Sequence, residues 1–288
     1  MGVPDWQRAT VISGRTARRL LDAAEGPLTA SLDLGRNRHE VMVEAGALGL
    51  PDGQHVARGD LADAFSAPED CIELRAGECR KVYRYDESLH KYYKLFQPFE
   101  DRPPTIVING ATMHPIVGVD PWEGTASMVA AVPRRGEQCL DTCCGLGYSA
   151  QMLAATRFEH VTTCEVDGNV LAVAAVNPWS EGLFGASNVR VLATDLREFV
   201  AGSPAGSLDC VFHDPPTVYQ AGELYAGELY EEFFRVLAPG GMLYHYVGAP
   251  GARRGQDYAR GVMRRLTEAG FVRVRRVPGG VLGIRPRG

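Results

Sequence analysis

The stretch Cys139-Leu140-Asp141-Thr142-Cys143-Cys144-Gly145-Leu146-Gly147 decides the fold: an apolar run that stops at two glycines, one residue apart. A short apolar run halted by glycine reads as a buried strand that turns sharply. Helix-forming residues follow at 148–155, so the local order is strand, glycine turn, helix. Outward from this point the order repeats. Apolar runs at 139–144, 161–166, 189–193, 208–212 and 242–247 alternate with helical stretches near 148–155, 169–176, 221–237 and 258–269. Strands alternating with helices predict a parallel sheet wound on both faces, and unbroken apolar runs suit strands covered on both sides. The chain closes with apolar residues at 271–277, a Pro278-Gly279-Gly280 turn and a last run at 281–284, a terminal hairpin. The expected core is therefore α/β: a doubly wound, mostly parallel seven-stranded sheet of Rossmann-like type at 136–288.

Upstream, residues 1–100 alternate short apolar runs with turn signals. A helix is expected around 14–24, strands at 28–34 and 40–45, a short helix near 60–65, and strands at 71–74, 81–85 and 91–96. This predicts a small N-terminal α+β domain. Residues 101–135 read as a linker and lid-like segment, with a strand candidate at 105–109 and a Gly-, Pro-, Met- and His-bearing loop at 110–123. A tandem repeat, Ala221-Gly222-Glu223-Leu224-Tyr225 and Ala226-Gly227-Glu228-Leu229-Tyr230, reads as a helix start. Within one helix its two copies would face directions roughly 140° apart.

Composition sets limits. The 288 residues are 45% hydrophobic and 23% charged, ordinary for a globular chain with a sizeable core. No apolar stretch approaches the ~20 residues that span a membrane, and the N-terminus lacks a signal pattern. Seven cysteines, with no CxxC pair, suit reduced thiols in a cytoplasmic protein better than disulfides or a metal site. The net charge of −5 hides an asymmetry: residues 101–250 hold 7 Lys and Arg against 17 Asp and Glu, residues 251–288 hold 10 against 2. The basic end, with Arg253, Arg254, Arg273, Arg275 and Arg276, is either a solvated face or a surface for an anionic partner such as RNA or an anionic small molecule.

In open α/β sheets, ligands bind beyond the carboxyl ends of the strands, so the residues after each run are the candidates. Gly145 and Gly147 let the chain turn and let a ligand lie against bare backbone. The same stretch also fits the G-x-G-x-x-A phosphate turn of nicotinamide enzymes. Glu165, which ends the second run, can accept hydrogen bonds from ribose hydroxyls. Asp195, after the third, can meet the amine of an adenine whose ring Leu196 flanks. Acids at three successive strand ends, Asp141, Glu165 and Asp195, suit a nucleoside carrying a cationic sulfonium and would repel a pyrophosphate.

After the fourth run stands His213-Asp214-Pro215-Pro216. Each proline fixes φ and removes a donor. The segment is either a stiff turn or a pocket in which a backbone carbonyl and the Asp214 carboxylate receive the hydrogens of an acceptor amine. His114, His213 and His245 are candidate general bases. Met113 and His114 either lid the site or simply pack.

In order, Leu140-Asp141-Thr142-Cys143-Cys144-Gly145-Leu146-Gly147, Glu165, Asp195, Asp214-Pro215-Pro216 and Leu237-Ala238-Pro239-Gly240-Gly241 resemble the motifs of class I S-adenosylmethionine-dependent methyltransferases. Asn109-Gly110, Met113-His114, Asn177-Pro178-Trp179-Ser180 and His245-Tyr246-Val247-Gly248 look like a group of predicted, mainly archaeal methyltransferases. The resemblance covers roughly 105–288. It implies S-adenosylmethionine as cofactor, held by Asp141, Gly145, Gly147, Glu165 and Asp195; Cys143 and Leu196, beside these in the sequence, complete the expected cofactor set. It places the acceptor at Asp214, Pro215 and Pro216; from their positions in the chain, Met113, His114, Thr217 and Tyr219 are expected to line the substrate. One departure stands out: methyltransferases of planar amino groups usually follow the two prolines with an aromatic residue, and this chain has Thr217. The leading expectation is methyl transfer to nitrogen of an unidentified acceptor (RNA, small molecule or protein). The alternative is aminopropyl transfer from the decarboxylated cofactor; a nicotinamide-dependent oxidoreductase and a non-catalytic RNA-binding module complete the set.

Overall fold

The computed structural model describes residues 2–4, 9–132, 135–248 and 257–287. The chain divides into two compact units: Thr125–Gly168 and Leu183–Gly288 form one, to which Met1–Val3 is counted, and Pro4–Gly124 with Asn169–Gly182 form the other.

The first unit is built on a seven-stranded sheet. Its strands are Gly136–Asp141, Phe158–Glu165, Val189–Ala193, Leu208–His213, Leu237–Tyr246, Val272–Val277 and Gly280–Ile284. Numbered along the chain, they lie across the sheet in the order third, second, first, fourth, fifth, seventh, sixth. The first five run parallel, and the closing hairpin is antiparallel. The order reverses between the first and fourth strands, and that reversal is where such sheets open a ligand crevice at the strands' carboxyl ends. Cys139, Leu140, Cys210, Val211, Phe212 and Leu243 are buried in the central strands. Helices Leu196–Gly202, Gly227–Val236 and Tyr258–Glu268 cover the sheet through Val200, Leu229, Phe233, Val236, Val262 and Leu266. Each such side chain, fully buried, contributes about 1.5–3 kcal/mol of transfer free energy. All seven cysteines are free thiols.

The helix expected over 221–237 is two elements. Gly222–Tyr225 is a single tight turn and Gly227–Val236 an α-helix, with Ala226 extended between them at φ −73° and ψ 149°. The break has a packing reason. A continuous helix would turn the two copies of the repeat apart, whereas the break brings Leu224 and Tyr225 onto the same apolar cluster as Leu229 and Tyr230.

The other unit holds three small antiparallel sheets. Helices Gly14–Asp22 and Arg58–Ala64 accompany them, and Ser13 caps the first by accepting from the Thr16 amide. Ile12, Leu20, Val41, Leu48, Leu61 and Ile72 form its core. The strand expected at 81–85 is divided: Glu78–Lys81 and Tyr83–Asp86 belong to different sheets. Thr105–Ile108, inside the segment read as a linker, pairs antiparallel with Lys91–Phe96 and is built into a four-stranded sheet. No helix among the described residues is long and apolar enough to cross a membrane.

Candidate active site at the carboxyl ends of the core strands

The glycine turn is tight for stated reasons. Gly145 and Gly147 have φ of 55° and 75°, left-handed conformations that glycine adopts without strain. A Cβ on Gly147 would lie 2.5 Å from the Leu183 side chain. Gly147 caps the helix Tyr148–Thr156, and its amide donates to the Cys144 carbonyl at 2.8 Å.

Asp141 lies beneath this turn and is 0% exposed. Its two oxygens accept from the hydroxyls of Ser149 at 3.0 Å and Thr163 at 2.7 Å. Burial pushes its carboxyl up to about 7, against the two hydroxyls. Asp141 therefore ties the first strand to the helix and to the second strand, and it supports the turn from below. Cys143 is half-buried, its thiol pushed up by burial and then by the Glu165 charge.

Glu165 is braced by backbone alone: one carboxylate oxygen accepts from the Gly145 amide and the other from the Asp167 amide, both at 3.0 Å. Between the two acids Val166 stands 76% exposed, an apolar side chain presented to solvent at the strand end. Sequence reading passed over it; an apolar residue between Glu165 and Asp167 was the available signal.

Asp195 caps the helix Leu196–Gly202 through the Arg197 amide at 2.8 Å, and the Arg197 guanidinium reaches the same carboxylate at 2.6 Å. That arginine holds the Asp195 carboxyl below its usual range. Leu196, expected to flank a ring, is 5% exposed and packs into the core with Val200 and Leu208. This corrects the expectation: the first residue of the capped helix turns inward. The exposed apolar surface at this end is Val166.

Asp214 is half-buried, and burial pushes its carboxyl up to about 7. Among the described residues its carboxylate has no hydrogen-bond partner. Pro215 is buried and Pro216 exposed. The Pro216 carbonyl accepts from the Tyr225 hydroxyl at 2.9 Å. Tyr225 and Tyr246 feel the acid's charge: burial and the Asp214 charge push the Tyr246 phenol up to about 12, and burial, then Tyr230 and Asp214, raise Tyr225. Thr217 bonds Gln220 at 2.9 Å, and Tyr219, 75% exposed, shares a 2.8 Å hydrogen bond with Tyr258; both are at the surface.

His213 and His245 are fully buried, their rings edge to face at a centroid distance of 4.5 Å. His213 Nε2 faces the Leu224 carbonyl at 2.9 Å and Nδ1 faces the Thr142 hydroxyl at 2.8 Å. A carbonyl only accepts, so Nε2 carries the proton and Nδ1 receives the threonine's. By the same reasoning His245 donates from Nδ1 to the Tyr246 carbonyl at 2.7 Å and accepts at Nε2 from Tyr230 at 2.9 Å. Burial lowers His213 to about 4 and His245 well below the ordinary range. Both rings are neutral, and each has its lone pair already engaged. They bond Thr142, Leu224 and Tyr246 beside the segment that carries Asp214.

Met113 and His114 belong to the other unit. Met113 is 38% exposed. His114 is half-buried, bonded through Nδ1 to the Thr105 hydroxyl at 2.9 Å and lowered to about 4 by burial. Of the basic end, Arg273, Arg275 and Arg276 are exposed on the last-but-one strand, and Arg253 and Arg254 lie outside the described residues.

Residues 139–241 match the model of a methyltransferase domain. Over 285 residues, 96% of each chain, the sequence is 38% identical to an uncharacterised protein of Methanocaldococcus jannaschii. Among solved structures, the spermidine synthase of Thermotoga maritima superposes with a TM-score of 0.55 at 17% identity, over 72% of this chain and 72% of that one. A spermidine synthase bound to the transition-state analogue AdoDATO gives 0.58 at 17% identity, over 72% and 73%. These two likenesses show the fold.

Proposed function

Because the chain belongs to the class I methyltransferases, enzymes that use S-adenosylmethionine, and to one family with the Methanocaldococcus jannaschii protein, we propose that it methylates a nitrogen positioned by Asp214, Pro215 and Pro216. The observation that carries this reading is the half-buried Asp214 carboxylate at the end of the fourth strand, unpartnered among the described residues. Its charge is felt by two phenols, and it is backed by two neutral imidazoles.

The cofactor fits the residues across the first three strand ends. The glycine turn offers bare backbone, Glu165 offers acceptors to sugar hydroxyls and favours a positive ligand over a pyrophosphate, and Val166 offers an apolar face for a ring, while Asp195 is already paired with Arg197. When bound, S-adenosylmethionine supplies a methyl group on positively charged sulfur, already a good leaving group. The remaining task is orientation, which can supply much of the rate. Asp214 accepts a hydrogen bond from the incoming N–H and so aims the nitrogen lone pair away from itself. With its carboxyl near 7, it can also take the proton that the nitrogen sheds. Glycine-turn residues and Glu165 act on the cofactor, Asp214 on the acceptor, and His213 with His245 on the placement of Asp214.

A second reading, aminopropyl transfer from the decarboxylated cofactor, is favoured by Glu165 and Asp214, carboxylates without a basic partner among the described residues, which would also draw a polyamine. The test is incubation with methyl-labelled S-adenosylmethionine and cell extract separated into RNA, protein and metabolite pools, for wild type and Asp214→Ala. Label should enter one pool with wild type and none with the variant, while both bind adenosylhomocysteine alike. Equal labelling by the variant removes Asp214 from the account. Tighter binding of the decarboxylated cofactor than of its parent selects the second reading.

A further inference from the structure

Row by row, the registers connect the acceptor site to the sheet's edge. His213 pairs with His245, His245 with Val281, and Val281 with Arg276. The residue before Asp214 and an arginine of the edge strand Val272–Val277 thus lie on one row, three strand spacings or about 14 Å apart. Arg273, Arg275 and Arg276 are all exposed there. Arg276 is tied to Asp257, the cap of helix Tyr258–Glu268, whereas Arg273 and Arg275 have no carboxylate partner among the described residues. On that helix Arg260 pairs with Asp257 and Arg264 with Glu268, so of these arginines Arg273 and Arg275 are the free charges among the described residues.

Charge on an edge strand also discourages the addition of further strands, but the backbone here does more than carry charge. The pairing slips between Val272 and Arg275, and within that bulge Arg273 adopts φ 51°, a left-handed conformation that side chains rarely take. Bulges re-aim side chains, and strain of this kind gathers at working sites. The basic excess of the chain falls in this last segment, 10 bases against 2 acids in residues 251–288, and three of those arginines stand on this strand.

We propose that the edge strand Val272–Val277 docks the phosphodiester backbone of a single-stranded RNA, one of whose bases reaches Asp214 as the methyl acceptor. The inference rests on the methyl-transfer reading. Arginine's planar fork suits phosphate, a few nucleotides bridge the distance, and exocyclic amino groups stand free in the unpaired loops that proteins read in RNA. In the transfer the amino nitrogen bonds the methyl carbon as the carbon–sulfur bond breaks, and the nitrogen's proton passes to Asp214.

The test titrates a fluorescein-labelled, mixed-sequence single-stranded RNA against the full chain over a salt series. Comparison is with Arg275→Gln and Arg273→Gln/Arg275→Gln, with melting temperature as the fold control. Wild-type affinity should fall steeply with salt, and each lost arginine should shallow the log–log slope by about 0.7. The double variant should bind at least tenfold more weakly at about 50 mM salt, with adenosylhomocysteine affinity unchanged. Wild-type slope and affinity in the double variant overturn the proposal. So does displacement of the RNA by polyglutamate or by single-stranded DNA as readily as by unlabelled RNA. Should adenosylhomocysteine fail to bind wild type while the RNA results hold, the methyl-transfer reading falls and the docking surface stands.

Discussion

The two ends of the strand row are built differently. Beyond the first two strands the polar groups are held by neighbours close in the sheet or the chain: Glu165 by the amides of Gly145 and Asp167, Asp141 by Ser149 and Thr163. Beyond the fourth and fifth strands the bonds run to the tight turn and the helix that lie between those strands in the chain. His213 joins Thr142 to Leu224, and Tyr230 holds His245. The first end is held by the glycine turn with the strand and helix beside it; the second needs the segment from Gly222 to Val236 in place.

The largest effect should come from the acid beneath the glycine turn. Asp141 has a folded pKa of about 7 against an ordinary 3.8. A raised carboxyl favours the folded state below the ordinary value, and that contribution is lost as pH rises towards 7. Wild type should thus lose up to about 4 kcal/mol between pH 4 and pH 7 relative to Asp141→Asn, read as a growing gap in denaturation midpoints. A gap constant with pH contradicts this. Next, Gly147→Ala places a Cβ against Leu183 at a φ of 75°. It should cost about 2–4 kcal/mol of stability and weaken adenosylhomocysteine binding; a neutral result would show that the turn has slack.

The turn and the alternating core were legible because each depends on residues near in sequence: glycines at 145 and 147, and unbroken apolar runs that become buried strands. The terminal hairpin followed from Pro278-Gly279-Gly280 for the same reason. The break at Ala226 was not legible, since both copies of the repeat have helical character and only the common cluster separates them. Leu196 was misplaced because spacing fixes a residue after a strand but not the side it turns to. Tyr225 and Tyr246 were missed because they reach Asp214 from 11 and 32 residues further along the chain. The general-base role expected of the histidines ignored hydrogen-bond partners that only folding supplies.

On the acceptor side a smaller and selective effect is expected. Thr142→Val removes the hydroxyl that satisfies His213 Nδ1 and should cost about 1–3 kcal/mol. Methyl transfer should drop while adenosylhomocysteine affinity holds within about twofold, half a kcal/mol. Loss of cofactor affinity would mean that the two ends are not separable. Smallest of all, Val166→Ala trims an exposed apolar face and should weaken adenosylhomocysteine about twofold to fivefold without touching stability; no change would remove Val166 from the ring-binding surface.

The central claim is that an adenosyl sulfonium settles across the glycine turn with its sugar on Glu165. Calorimetric titration of S-adenosylmethionine into wild type and Glu165→Ala measures this directly. Saturable one-site binding by wild type, weakened at least tenfold in the variant, is the predicted result. No heat of binding to wild type, or equal affinity in the two proteins, contradicts it.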